Sequence, residues 1–117
     1  MKHVFEGPAE GFVPTKVISG ILYDVEGYVG YLESEESIYV VFRGTESWDW
    51  RNYYADFDAT NTNYDIWPEC NCKVHSGFYK ASNAVWDHVH KEVVRLQGLY
   101  PNYQMKITGH SLGAALA

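Results

Sequence analysis

The chain has 117 residues, enough for one domain or part of one and for a packed core. With 46% hydrophobic and 21% charged residues it has a globular composition, and its longest apolar run, Ile38 to Phe42, is far too short to be a transmembrane segment. Fifteen acidic against nine basic residues give a net charge of −6, which argues against a nucleic-acid partner because phosphate neutralisation needs a basic face.

Residues 1–15 carry Gly7, Pro8, Gly11 and Pro14 and read as a lead-in loop. The start, Met1 to Pro8, has no apolar stretch of the kind found in a secretory signal. Val17, Ile18, Ile21, Leu22 and Tyr23 predict a strand over 16–23, and Tyr28 to Leu32 predict a second. The run Ile38-Tyr39-Val40-Val41-Phe42 is β-branched and aromatic, which suits a fully buried strand. These three read as a strand meander that feeds a central sheet.

The period changes after Ser47. Trp50, Tyr53, Tyr54 and Phe57 recur at the spacing of one helical face. Residues 58–73 are polar, contain Pro68 and read as a long loop. Cys70 and Cys72 lie in it, one residue apart: a bridge would close a small ring, two thiols alone make a poor zinc site, and two free or half-buried thiols are the plainer alternative. Ser76 is placed to cap a helix that runs to about Leu99, with Phe78, Ala81, Val85, Val89, Glu92, Val93 and Leu96 on one stripe. Gly98 and Pro101 bound its end. A strand over 103–108 follows, then a glycine-flanked turn and a helix from Leu112. Strands alternating with a long helix predict an α/β fold with a largely parallel sheet.

The strongest chemical signal is Gly109-His110-Ser111-Leu112-Gly113. A G-x-S-x-G pentapeptide between strand and helix forms a sharp elbow that exposes a serine hydroxyl. Glycines on either side let strand and helix pass closely, and Ala114 and Ala115 keep the packing tight. Backbone N–H groups at the start of the helix can then face a forming oxyanion. The plain alternative is a small-residue turn before a helix. The second signal is Arg43-Gly44-Thr45 after the buried run, which sends a loop to the carboxyl edge of the sheet. Acyl transfer needs two N–H donors, one from the residue after the nucleophile, Leu112, and one from such an earlier loop, where Thr45 fits.

Taken together, Gly27 to Gly30, Ile38 through Thr45, Arg51-Asn52 with Ala55-Asp56, Val74-His75-Ser76-Gly77-Phe78, and Tyr100-Pro101 through Ala114 resemble the class 3 (fungal-type) lipase family, which includes feruloyl esterases. The resemblance covers about residues 25–117. It implies an α/β-hydrolase fold, no metal and no cofactor, and hydrolysis of carboxylic esters, typically acylglycerols at a lipid interface. It implies Ser111 as nucleophile and Thr45 and Leu112 as oxyanion donors. Residues 46–57 align with the amphipathic lid of fungal lipases, with Trp48 and Trp50 inserted near its start and Trp48, Trp50, Tyr53, Tyr54 and Phe57 as its aromatic face. Core packing of that face is the competing reading. Relatives often carry a more widely spaced cysteine pair near Cys70 and Cys72, and family members are often secreted, which leaves the compartment of this chain open.

The triad order in this fold is serine, then Asp or Glu, then His. Six residues follow Ser111, none of them acidic or histidine. His88 and His90 fall on different faces of the long helix, His75 suits a local hydrogen bond, and His110 neighbours the nucleophile but points away from it. The expectation is therefore one partial domain over 1–117, an α/β-hydrolase truncated after the nucleophile elbow and without activity alone, since a serine without a base is a weak nucleophile. A non-catalytic remnant that binds acyl ligands or a protein partner is the alternative, and a feruloyl or phospholipid esterase a third.

Overall fold

Largely alternating buried and half-buried side chains build the second and third strands of the computed structural model, which describes residues 6–19, 26–43, 60–110 and 112–117, and the more exposed first strand ends on buried Ile18. In chain order the three strands are β1 (Val13–Ile18), β2 (Glu26–Leu32) and β3 (Ser37–Arg43). A 3-10 turn over Glu33–Glu35, closed by Glu36 in the left-handed region at φ 49°, joins β2 to β3. Then come β4 (Asn61–Asn63) and β5 (Lys73–His75), a two-stranded antiparallel hairpin where the sequence reads only a long loop over 58–73, because these short polar strands carry no hydrophobic alternation. The helix α1 (Ser76–Leu99), the strand β6 (Gln104–His110) and the short helix α2 (Leu112–Leu116) complete the chain.

The main sheet has the order β1-β2-β3-β6. The two pairings among β1, β2 and β3 are antiparallel, as a meander requires, and β6 joins β3 in parallel. Among the described residues the parallel character expected of the sheet is thus confined to β3 and β6, the pair joined through α1. A bulge between Pro14 and Lys16 leaves Thr15 out of register, and its hydroxyl donates to the Val29 carbonyl at 3.3 Å. The lead-in is shorter than expected, because β1 begins at Val13 and a 3-10 turn over Gly7–Ala9 precedes it. The remainder of the predicted strand over 16–23, beyond Ser19, lies outside the described residues.

One face of the sheet carries Ile18, Val29, Ile38, Val40 and Phe42, packed under Ala81, Val85, Val89, Val93 and Leu96 of α1. The helix stripe read from the sequence is the buried stripe, Glu92 included. Each buried aliphatic side chain contributes about 1.5–3 kcal/mol relative to exposure, so this seam fixes the helix on the sheet. Glu92 tolerates burial because Arg95 grips both its oxygens, at 2.6 and 3.0 Å.

The polar residues of β6 find their reason here. β6 has one strand neighbour among the described residues, and Met105 and Ile107 stay 39% and 50% exposed. Lys106 donates to Glu35 at 3.2 Å and lies 5.5 Å from the centre of the Tyr39 ring. Between the segment after β4 and β5 a bridge joins Cys70 to Cys72, which decides between the readings left open for that pair.

Candidate active site

Register brings the two chemical motifs to one edge. In the parallel ladder Phe42 lies opposite Gly109 and Arg43 opposite His110. β3 therefore ends two residues before Thr45, and β6 one residue before Ser111. Arg43 also donates from its guanidinium to Glu26, which ties the end of β3 to the start of β2. That ion pair is invisible to motif reading, since it depends on the antiparallel register of Glu26 on Arg43.

The flanks of the elbow are packed without a gap. A Cβ built on Gly109 would strike the Gly113 carbonyl and reach within 2.7 Å of the Ala114 nitrogen. A Cβ on Gly113 would strike the Phe42 carbonyl oxygen and come within 2.6 Å of its carbon and 2.9 Å of the Arg43 nitrogen. Real Cβ atoms do not approach backbone so closely. One glycine lets the end of β6 lie on α2, and the other lets α2 lie on β3. β6 ends at His110 and α2 begins at Leu112, so strand gives way to helix within the pentapeptide. The hydrogen bond from the Ala117 nitrogen to the Gly113 carbonyl, at 3.0 Å, holds the helical turn that follows.

Ser111, Thr45 and the candidate lid residues Trp48, Trp50, Tyr53, Tyr54 and Phe57 lie outside the described residues, as does the rest of the predicted helical face over 46–57. Leu112 opens α2.

The helix start differs from the sequence reading. The cap of α1 is His75, whose Nδ1 accepts from the Phe78 nitrogen at 3.3 Å. Ser76 is already helical; its hydroxyl accepts from that of Thr60 at 3.1 Å, and its N–H reaches the Thr60 carbonyl at 2.8 Å. Histidine is outside the usual capping set, so only the extended backbone of His75 reveals the role. This local bond is the kind expected of His75 from the sequence. His88 and His90 are exposed on α1, with His90 stacked on Trp86 at 4.8 Å between ring centres.

The opposite face of the sheet holds a cavity of about 280 Å³ lined by Phe12, Tyr28, Tyr39, Val41 and Thr108, with Glu35 at its edge. The Tyr39 hydroxyl donates to Glu35, and this bond together with Lys106 holds the Glu35 carboxyl below its ordinary value. Glu35 in turn raises both the Tyr39 phenol and the Lys106 ammonium. On α1 the Arg95 guanidinium lowers Glu92, chiefly by hydrogen bonding. Among the described residues no three His, Cys, Asp or Glu side chains gather to hold a metal ion, and no helix is long and apolar enough to cross a membrane.

Comparison with known proteins places this geometry. The family model described as Lipase (class 3) matches residues 39–117. A lipase of Rhizomucor miehei is 37% identical over 102 residues, covering 87% of this chain and 27% of that protein. The secreted mono- and diacylglycerol lipase A of Penicillium cyclopium is 33% identical over 94 residues, 80% of this chain and 30% of that one. The solved lipase II of Rhizopus niveus superposes with a TM-score of 0.80 at 32% identity, over 92% of this chain and 39% of that one. The chain thus spans well under half the length of these relatives, and its sheet and helices are part of an α/β-hydrolase fold.

Proposed function

The chain belongs to the class 3 lipase family, and from that premise we propose that it carries the nucleophile half of a serine carboxylic-ester hydrolase acting on acylglycerols. The observation that supports this best is the register of β3 on β6, in which Arg43 pairs with His110. Two loops that start side by side are the arrangement an acyl-transfer site needs, with the nucleophile on one and an oxyanion donor on the other.

In this reading the Ser111 hydroxyl attacks the ester carbonyl, and the oxygen that becomes negative accepts from the Thr45 and Leu112 backbone N–H groups. The alcohol leaves, and water then releases the acid from the acyl-serine. The close glycine contacts support the role of the elbow, because they hold strand and helix at a fixed angle around residue 111. His75 spends its Nδ1 on the helix cap, and His88 and His90 face solvent on α1. We offer none of the three as the base. Residues 46–57, with Trp48, Trp50, Tyr53, Tyr54 and Phe57, act as a lid whose aromatic face covers the site in water. The substrate class rests on the names of the relatives, which are lipases of mono-, di- and triacylglycerols.

The test is labelling of the full-length protein with a serine-directed fluorophosphonate. Labelling that disappears in Ser111→Ala, together with hydrolysis of an acylglycerol, is the expected result. A protein that resists the probe, or a Ser111→Ala variant that labels equally, ends the reading.

A further inference from the structure

The loop between β4 and β5 turns two large apolar side chains into solvent. Ile66 is 69% exposed and Trp67 58% exposed, next to each other in the chain. The loop is built to hold them there. The Tyr64 nitrogen donates to the Cys72 carbonyl at 3.0 Å across the base, and the Tyr64 ring lies 6.0 Å from that of Tyr79 on α1. Beyond the tip the chain folds into a 3-10 turn over Pro68–Cys70, with the Cys70 nitrogen bonded to the Trp67 carbonyl at 3.1 Å. The bridge from Cys70 to Cys72 closes that turn.

Topology fixes the side from which the hairpin springs. β3 and β6 are parallel, and α1 connects them, so α1 runs back across the sheet. Its first residue, Ser76, therefore lies at the edge where Arg43 and His110 end, and so does the open end of the β4–β5 hairpin, where Asn61 pairs with His75. Its charges also select a partner. Asp65 and Glu69 flank the tip, Lys73 sits where the strands open into the loop, and the chain carries a net charge of −6. Such a tip disfavours an anionic membrane, whereas a neutral surface meets no opposing charge. Tryptophan prefers the boundary between hydrocarbon and water, where its ring is buried and its N–H stays wet.

We infer that the Ile66–Trp67 tip is an anchor that enters a neutral lipid surface and turns the Arg43–His110 edge toward it. This deepens the proposed ester hydrolysis and rests on that reading for its purpose, though not for its test.

The experiment uses the protein carrying Ser111→Ala, so that lipid is not consumed, and measures cosedimentation with phosphatidylcholine vesicles and flotation with a trioleoylglycerol emulsion. Adding Trp67→Ala is expected to weaken partition about tenfold, the loss of much of one buried ring. Ile66→Asp weakens it further, Trp67→Phe restores most of it, and added phosphatidylglycerol gives no gain. Far-ultraviolet dichroism establishes that each variant is folded. Unchanged partition in folded Trp67→Ala and Ile66→Asp overturns the anchor, as does binding that strengthens with anionic lipid or self-association lost in the same variants. Hydrolysis of a water-soluble short-chain ester by the protein with Ser111 intact separates the two ideas. Turnover with no tip-dependent partition defeats the anchor alone, and tip-dependent partition with no turnover defeats the hydrolase reading alone.

Discussion

Gly113 lies against the carbonyl of Phe42, so closely that the α-carbon of the helix and the backbone of the neighbouring strand leave no room for a methyl group. The contact couples α2 to β3 directly, across the strand that leads into the elbow. Gly113→Ala must move helix or strand apart, and an overpacked site of this kind costs about 1–3 kcal/mol. Urea unfolding is the measurement. Gly109→Ala is expected to behave alike, because its methyl would meet the Gly113 carbonyl and the Ala114 nitrogen. Fluorophosphonate labelling should fall in both variants even where the fold survives.

The cap at His75 gives a second prediction. His75→Ala removes the acceptor for the Phe78 N–H and is expected to cost about 1 kcal/mol, the usual value of a lost helix cap. His75→Asn keeps a side-chain acceptor at that position and should recover most of it. Thermal melts of the two variants distinguish a capping role from simple packing against Phe78, whose ring lies 4.3 Å from that of His75.

Glu92 sets an acid limb to the stability curve. Its side chain is 10% exposed, and the Arg95 guanidinium lowers its carboxyl in the folded chain. A carboxyl lowered on folding contributes stability that is present above its unfolded value, about 4.3, and is lost as pH falls through the folded value. Melting temperature should therefore drop through that acid range more steeply in the native sequence than in Glu92→Gln. Near neutral pH the variant should be less stable by about 1 kcal/mol, since Arg95 is itself half exposed and screened. Parallel pH curves for the two proteins would count against this account.

The bridge between Cys70 and Cys72 encloses a very short loop. Loop-closure entropy for a ring of this size gives about 1.5 kcal/mol, roughly half of what a fifteen-residue loop provides. Replacing both residues by serine should lower stability by no more than that, and the loss of tip-dependent lipid partition should exceed the loss of stability. Denaturant unfolding and the flotation assay measure the two quantities on the same variant.

Much of this molecule is written in its periodicity. Ala81, Val85, Val89, Val93 and Leu96 recur at helical spacing, and a single face of α1 can bury them only against a sheet. The run Ile38 to Phe42 is β-branched and aromatic over too short a span for a helix. The pentapeptide around residue 111 names a turn, since two glycines and a serine between a strand and a helix have few other uses. Each of these signals is local, carried by neighbours in sequence.

Other features belong to tertiary structure, because their partners are far apart in the chain. Glu26 meets Arg43 only through the antiparallel register of β2 on β3, and Lys106 meets Glu35 only because β6 runs beside β3. The Thr60 backbone and hydroxyl engage Ser76, and the neighbouring His75 side chain takes the Phe78 N–H and caps α1. The sequence alone thus determined the main-sheet strands, the long helix and the motif at residue 111, whereas the polar β4–β5 hairpin had no signal within it. The packed sheet decided which loops lie side by side, because register is a property of paired strands and has no signature within either one.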